Sequence, residues 1–519
     1  MSTASQCDSR SQIHAAMDAA RLVLRDVDTL APLQLLNFRC GPVWVKREDL
    51  SQIRSFKWRG AYFRMHGLWR DGVRRVVAAS AGNHAQGVAR AARKLNMNAT
   101  VFMPQSTPAI KQAQVRQLGG DHVDVVLSGD SFATTARAAA SDAAKRDLHV
   151  VDPFDHSDII AGQATIGFEM LEQSSEFDAL YLPIGGGGLA AGVACAIKRA
   201  APRIRVIGVE VVDQDSMSRS IRAGKLVTLP EVSRFCDGTA VSQPGKLTFE
   251  LCRDLLDQTI IVTEDEVCAA IQTLWEADRI IPEPSGAVGL AGVLQAAHNG
   301  SPGRPATIIT GANMDFTTLE RIAQRAGIGR RTRKYYRFRI EERAGALLSV
   351  LDGLKDRANI VEFQYGKVDQ HRACPVIGFE CLGTDECSDL HDAVSQLPVS
   401  ADDITGTEMV DFRMIPFERR LCHDPLFARI DFADRPGALH SLLREIGSTA
   451  NICYFNYHSS GELSGRALMA FESTVNRWQE KLAERVGRLE FTMSIVPEAG
   501  EWTSLVTSST ELGAENIST

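Results

Sequence analysis

From about residue 43 to residue 325, short apolar runs alternate with longer amphipathic stretches. No other feature restricts the fold of this chain as much. The runs are VWVK, RVVAAS, ATVFM, DHVDVVL, ALYLPI, RIRVIGVEV, TIIVT and ATIIT, and between them lie stretches such as NHAQGVARAARKLN and PAIKQAQVRQLG. Strands buried on both faces read as near-continuous apolar runs, and the intervening helices supply the cover. The pattern predicts an α/β class region of open, mostly parallel sheets with helices on both faces. Its ligand site should lie at the C-terminal ends of the strands.

Past GIGRRTRKYYRFRI, where four basic residues fall within Arg330–Lys334, the composition changes and an internal repeat begins. RAGALLSVLDGLKDRANIVEFQY (Arg343–Tyr365) matches RPGALHSLLREIGSTANICYFNY (Arg435–Tyr457) at an offset of 92 residues. The register holds at Gly345/Gly437, Asn359/Asn451, Ile360/Ile452, Phe363/Phe455 and Tyr365/Tyr457, and again at Phe379-Glu380 against Phe471-Glu472. Each copy reads as strand, R-x-G-A-L turn, helix, N-I turn, strand and strand, so two α+β domains are expected. The expected division is an N-terminal segment 1–28, the α/β region 29–328, a linker 329–335, α+β domains at 336–410 and 426–498, and a disordered tail 499–519 rich in Ser, Thr, Glu and Gly.

A length of 519 residues calls for two or three domains. The net charge of -7 argues against general nucleic-acid binding. No apolar run approaches the roughly 20 residues of a membrane span. The opening MSTASQCDSRSQIHAAMD has no apolar signal core, so a cytoplasmic protein is expected. Eleven cysteines without CxxC spacing read as reduced core residues, not a disulfide frame or zinc site, and no metal is expected.

Three strand-to-helix loops carry the chemical signals. In ALYLPIGGGGLAAG a strand ends at Ile184, Gly185, Gly186, Gly187 and Gly188 follow, and a helix starts near Leu189. Glycines let backbone N–H groups approach an anion, and the helix start adds its dipole. A mere turn is the competing reading, but the junction favours phosphate. The loop lacks the Lys-Ser/Thr of a nucleotide P-loop and the G-x-G-x-x-G spacing of dinucleotide sites. In VVAASAGNHAQG the backbone of Ser80, Ala81, Gly82 and His84 could cradle a carboxylate, with Asn83 as a side-chain donor or simply a helix cap. In ATIITGANMD the Thr310 hydroxyl faces the crevice, unless it is only a β-former at a strand end. Lys57, in RSFKWRGAYF, sits near a helix start that Ser55 would cap; it is either solvated or beside an anion. A phosphate cup, a carboxylate cup, a neutral hydroxyl and a lysine together match the needs of pyridoxal 5'-phosphate.

These motifs in this order, KREDL…SFKWRGA, SAGNHAQG, PIGGGGLAAG, EPSGA and TGAN, resemble the fold-type II pyridoxal-phosphate enzymes and, among them, the biosynthetic threonine dehydratases. The resemblance runs from about Thr29 to Glu472, and the two-copy region resembles paired ACT-like regulatory domains. It implies a tryptophan-synthase-β-like fold, with Lys57 as the Schiff-base lysine, Gly185 to Gly188 on the phosphate, Asn83 on the ring hydroxyl and Thr310 facing the pyridine nitrogen. Glu283 would lie near the ring or substrate, or else be only a helix-start carboxylate. Glu210 and Asp215 match poorly the cation site of some relatives. Trp58 and Arg54 stand where the family usually has Leu and His, and Ala81 stands where racemases of this fold carry a serine.

The implied reaction is deamination of L-threonine to 2-oxobutanoate and ammonia, with L-serine as the competing substrate. The implied regulation is inhibition by isoleucine opposed by valine, in a homotetramer. Tyr365 and Tyr457 are effector candidates, though core packing is the more common explanation for an aromatic. The alternatives are a serine dehydratase or other β-eliminating enzyme of this fold, and a non-catalytic amino-acid sensor.

Overall fold

Every one of the eight apolar runs forms a strand, but they divide between two sheets. The computed structural model describes residues 3–27, 30–300, 303–341, 350, 352–354, 358–364, 372–412, 425–433, 442, 445–446, 449–457, 464–473, 477–489 and 491–496. The chain forms two units, residues 1–326 and 327–519.

The first unit runs α1 (Thr3–Arg25), β1 (Leu33–Phe38), β2 (Gly41–Arg47), α2 (Lys57–Arg70), β3 (Arg75–Ala79), α3 (Asn83–Leu95), β4 (Asn98–Met103), α4 (Ala109–Gly119), β5 (Val123–Leu127), α5 (Phe132–Lys145) and β6 (His149–Val150). It continues with α6 (Ser157–Gln173), β7 (Ala179–Pro183), α7 (Gly188–Ala200), β8 (Arg205–Val211), α8 (Ser216–Ala223), α9 (Lys246–Leu255), β9 (Gln258–Val262), α10 (Glu264–Asp278), α11 (Pro284–His298), β10 (Pro305–Ile309) and α12 (Thr318–Gly329). A six-stranded sheet has the order β1-β2-β10-β7-β8-β9, parallel except for the β1–β2 hairpin. A four-stranded parallel sheet has the order β5-β4-β3-β6. Residues 1–28 contribute more than a leading segment. Ile13, Met17, Ala20 and Leu24 recur at helical spacing along α1 and are buried, the first three with Ile160 and Ala164 of α6.

The KRED motif has a structural task. Lys46 Nζ donates to Glu169 Oε2 (2.7 Å) and to the Ala31 carbonyl (2.7 Å). Arg59 donates twice to Glu48 (2.9 and 3.0 Å) and also to Glu169 and Thr165. Lys46, Glu48 and Arg59 are all buried. Burying charges is tolerated only where each finds its counter-charge and hydrogen bonds. Here the network ties β2, α2 and α6 together two residues after Lys57.

The second unit holds β11 (Arg333–Glu341), β12 (Asn359–Gln364), β13 (Arg372–Ala373), β14 (Val376–Glu380), α13 (Thr384–Ser395), β15 (Ser400–Asp403) and α14 (Glu408–Phe412). The second copy follows as β16 (Leu426–Ala433), β17 (Asn451–Tyr457), β18 (Ser464–Glu472), α15 (Trp478–Arg488) and β19 (Thr492–Ile495). Each copy is an antiparallel sheet with a helix. The order is β12-β14-β11 with β15 beside β11 in the first, and β17-β18-β16-β19 in the second. The 92-residue offset survives in the ladders. Asn359 faces Glu380 as Asn451 faces Glu472, and the register slips between Ile360 and Glu362 as it does between Ile452 and Tyr454. Tyr335, Ile404 and Met409 of the first copy share one apolar cluster with Phe427, Leu468, Ala470 and Val496 of the second. β11 opens at Arg333, inside the stretch expected as a linker, so only 330–332 separate it from α12. The R-x-G-A-L turns, Tyr365 and the 499–519 tail lie outside the described residues.

Candidate active site

Lys57 is the first residue of α2. The N-cap is Phe56, with no side-chain cap, and not Ser55 as the sequence suggested. Ser55 lies one residue earlier, and its Oγ accepts weakly from Lys57 N (3.4 Å). The segment ahead of Lys57 is laced to the TGAN loop. Phe56 N donates to the Thr310 carbonyl (3.1 Å), Ala312 N to the Arg54 carbonyl (2.9 Å) and Asn313 Nδ2 to the Ile53 carbonyl (2.8 Å). Arg54 sits at a φ of 56°, a left-handed conformation rare for a side-chain-bearing residue.

Lys57 Nζ donates to the Pro153 carbonyl (2.9 Å). The next residue, Phe154, lies against the tetraglycine loop. A Cβ on Gly186 would come within 2.3 Å of its ring, and one on Gly188 within 3.0 Å of its backbone and side chain. Only glycine allows this approach. The loop's carbonyls are occupied. Gly245 N and Thr248 Oγ1 donate to Gly186 O (3.3 and 2.6 Å), and Ala191 N donates to Gly187 O (2.8 Å). The first-turn N–H groups of α7 have no intrahelical acceptor and are left for an anion. Lys57 and the glycine loop thus meet at one turn, residues 152–154.

Burial presses the Lys57 amine down to about 8, against the pull of Asp152 and Glu283. His84 is buried and pushed down to about 4, by burial first and Lys57 second. Its Nε2 is within 2.9 Å of the Val151 carbonyl, so the imidazole is neutral and committed. Only the backbone of His84, and not its ring, is left for the expected carboxylate cup. Gly82 N donates to Ser80 Oγ (3.2 Å).

Asn83 is the first residue of α3, after an N-cap at Gly82, so its side chain is not a cap. Asn83 Nδ2 donates to Glu283 Oε1 (2.6 Å), Asn313 Nδ2 donates to Asn83 Oδ1 (2.7 Å), and Asn313 N donates to Glu283 Oε2 (3.1 Å). The Ile53 carbonyl can only accept, which fixes the Asn313 amide and in turn that of Asn83. Glu283, the N-cap position of α11, makes no side-chain cap bond. Its carboxyl is raised to about 8, by burial and then by Asp237. Thr310 follows β10 and its Oγ1 donates to the Ser285 carbonyl (3.3 Å). Ser285 Oγ is buried with no hydrogen-bond partner. Lys111, on α4 beside the small sheet, pairs with Asp237 beside the large sheet (2.6 Å).

Asn313, Ser285 and the Lys111–Asp237 pair were not singled out by the sequence. Asn313 and Ser285 each had a signal, the last letter of TGAN and the third of EPSGA; the Lys111–Asp237 pair had none. Glu210, by contrast, spends its carboxylate on the first turn of α8. It accepts from Met217 N (2.9 Å) and Ser218 N (2.7 Å), and burial raises it to about 7.

A depressed primary amine, an anion cradle closed to side chains, an oriented amide and an orphaned buried hydroxyl fit pyridoxal 5'-phosphate. The comparisons agree. Residues 27–311 match the family described as pyridoxal-phosphate dependent enzyme, and residues 324–413 match the C-terminal regulatory domain of threonine dehydratase. The L-threonine dehydratase biosynthetic IlvA of Pasteurella multocida is 36% identical over 458 residues, covering 86% of this chain and 88% of that protein. The processed form of threonine deaminase isoform 2 from Solanum lycopersicum is 39% identical, with a TM-score of 0.58, covering 62% of this chain and 89% of that one. Maize serine racemase is 30% identical, with a TM-score of 0.55, covering 59% of this chain and 95% of that one. The chain belongs to the fold-type II pyridoxal-phosphate dependent enzymes, in the family of the biosynthetic threonine dehydratases with a C-terminal regulatory region. It is a pyridoxal-phosphate dependent lyase.

Proposed function

We propose that this enzyme is a threonine ammonia-lyase, converting L-threonine to 2-oxobutanoate and ammonia as the first step of isoleucine biosynthesis. The observation that carries the reading is the meeting of Lys57 and the tetraglycine loop at residues 152–154. In this reading Lys57, Asn83, Gly185, Gly186, Gly187, Gly188 and Thr310 hold the cofactor, and Glu283 orients Asn83. The bound cofactor supplies an electron sink that makes the substrate α-proton acidic.

The protein's own residues do the rest. The Ser80, Ala81, Gly82 and His84 segment holds the substrate carboxylate; Ser80 N is already given to the Phe102 carbonyl (3.0 Å) and Gly82 N to Ser80 Oγ (3.2 Å), which leaves the N–H groups of Ala81 and His84 as the donors. Lys57 Nζ takes the α-proton, which requires the neutral amine that burial favours. The β-hydroxyl leaves as water, and the released enamine hydrolyses to the 2-oxo acid and ammonia. Thr310 is a hydroxyl and not a carboxylate, so it cannot hold a proton on the ring nitrogen. That favours rapid elimination over a long-lived carbanion. Ala81 has no proton to return from the opposite face, so serine racemisation is not expected.

The regulatory copies, taken as 336–410 and 426–498, respond to isoleucine as inhibitor and valine as its antagonist. Tyr365 and Tyr457 are the proposed effector contacts; β17 ends at Tyr457, opposite Ala467. The active form is a cytoplasmic homotetramer. Among the described residues no helix is long and apolar enough to cross a membrane. The test is turnover of L-threonine and of L-serine, each with and without isoleucine. The reading expects 2-oxobutanoate from threonine, suppressed by isoleucine. Inversion of L-serine at a rate comparable to elimination would overturn it.

A further inference from the structure

The first regulatory copy carries a sulfur pair that the second lacks. Cys381 directly follows β14, and Cys387 lies in the opening turns of α13. Their Sγ atoms are 2.7 Å apart. That is well inside a non-bonded contact of about 3.5–4.0 Å and approaches the roughly 2.05 Å of a disulfide bond. Both are thiols here, and both are buried. They sit at the edge of the fold, where the residue after Cys381, Leu382, is 86% exposed.

The second copy serves as an internal control. The 92-residue offset carries buried Leu390 and Val394 onto buried Leu482 and Val486, so the two helices are in register. It carries Cys381 onto Ser473 and Cys387 onto Gln479. The helix of the second copy has no sulfur at either position; its Gln479 is exposed, and Trp478 takes the buried place ahead of Leu482 that Cys387 takes ahead of Leu390. A packing role would ask for a small apolar residue at each place; it would not ask the two sulfurs to meet.

We propose that Cys381 and Cys387 are a covalent modification site, oxidised by a small-molecule disulfide to an intramolecular disulfide that ties the end of β14 to the start of α13. One cysteine thiolate attacks a sulfur of the oxidant, forming a mixed disulfide and releasing one small thiolate. The second cysteine thiolate attacks the protein sulfur of that mixed disulfide and releases the other. The protein loses two protons and two electrons, the oxidant's S–S bond breaks, and two small-molecule thiols result. Burial holds both thiols up, Cys381 to about 12, so thiolate is scarce near neutrality. Exchange should accelerate about tenfold per pH unit in that range.

The experiment exposes the full-length holoenzyme to oxidised glutathione at pH 7, 8 and 9, quenches with an alkylating agent and maps peptides without reduction. The expected result is a 381–387 cross-link two hydrogens lighter than the dithiol, forming faster at each higher pH and reversed by dithiothreitol. Cys387→Ala, which removes the sulfur and keeps a small buried side chain, should abolish the cross-link. The exposed Cys40 reports that the oxidant is active. Full alkylation of both Cys381 and Cys387 in the wild-type protein, under conditions that glutathionylate Cys40, would overturn the proposal. So would pairing of either with another cysteine.

Discussion

At Lys57, burial and carboxylates pull one amine in opposite directions. Desolvation wins and leaves it at about 8, with Asp152 and then Glu283 pulling it back up. The base form therefore grows as pH rises from 7 to 9. Threonine turnover should climb through this window with a limb near 8, measured as the pH profile of kcat, because Lys57 is a free amine only while substrate is bound. Asp152→Asn removes a charge that stabilises the ammonium, so the limb should move to lower pH; an unmoved limb would assign it to another group. Trp58, unexplained by the sequence, is a core residue. It is fully buried, with its ring centroid 4.9 Å from that of Tyr62, among Val76, Ala78 and Val88 on the small-sheet side. A single sequence could not separate it from the chemistry because it adjoins Lys57, the proposed Schiff-base lysine.

Between elements, the site depends on junctions. Gly186→Ala would place a Cβ 2.3 Å from the Phe154 ring. Overpacking of this kind costs about 1–3 kcal/mol. Cofactor affinity, read by titrating the apo-protein with pyridoxal 5'-phosphate, should fall by about one to two powers of ten. Glu48→Ala would remove one of the two carboxylates that Arg59, 1% exposed, bonds and would leave it Glu169 and Thr165. Losing one partner of a buried pair costs up to about 3–5 kcal/mol, so the first unit should unfold at lower urea while the second is unaffected.

The strands of the large and small sheets were legible because buried parallel strands leave continuous apolar runs. β1 was not, because its residues are at most half-buried, and β6 has only two residues. The glycine loop and TGAN were legible as local motifs. The Asn83–Asn313–Glu283 network was not, because Asn83 lies 200 or more positions from both of its partners. Lys111 and Asp237, 126 positions apart, meet only in the folded chain.

Across the whole molecule, the repeat was the most faithful signal. A 92-residue offset read from letters reappears as the same strand order and the same register slip in both copies. The first unit has its own sheets and cores, which predicts that a chain ended after Gly329 still deaminates threonine but no longer responds to isoleucine. The account as a whole rests on Lys57 carrying pyridoxal 5'-phosphate for threonine deamination. The direct measurement is the absorption spectrum of purified wild type and Lys57→Ala, followed by threonine addition. The account predicts a band at the violet edge of the visible and 2-oxobutanoate formation in wild type, with both lost in the variant. A colourless wild-type protein that leaves threonine unchanged after loading with the cofactor, or a variant that keeps both properties, would contradict it.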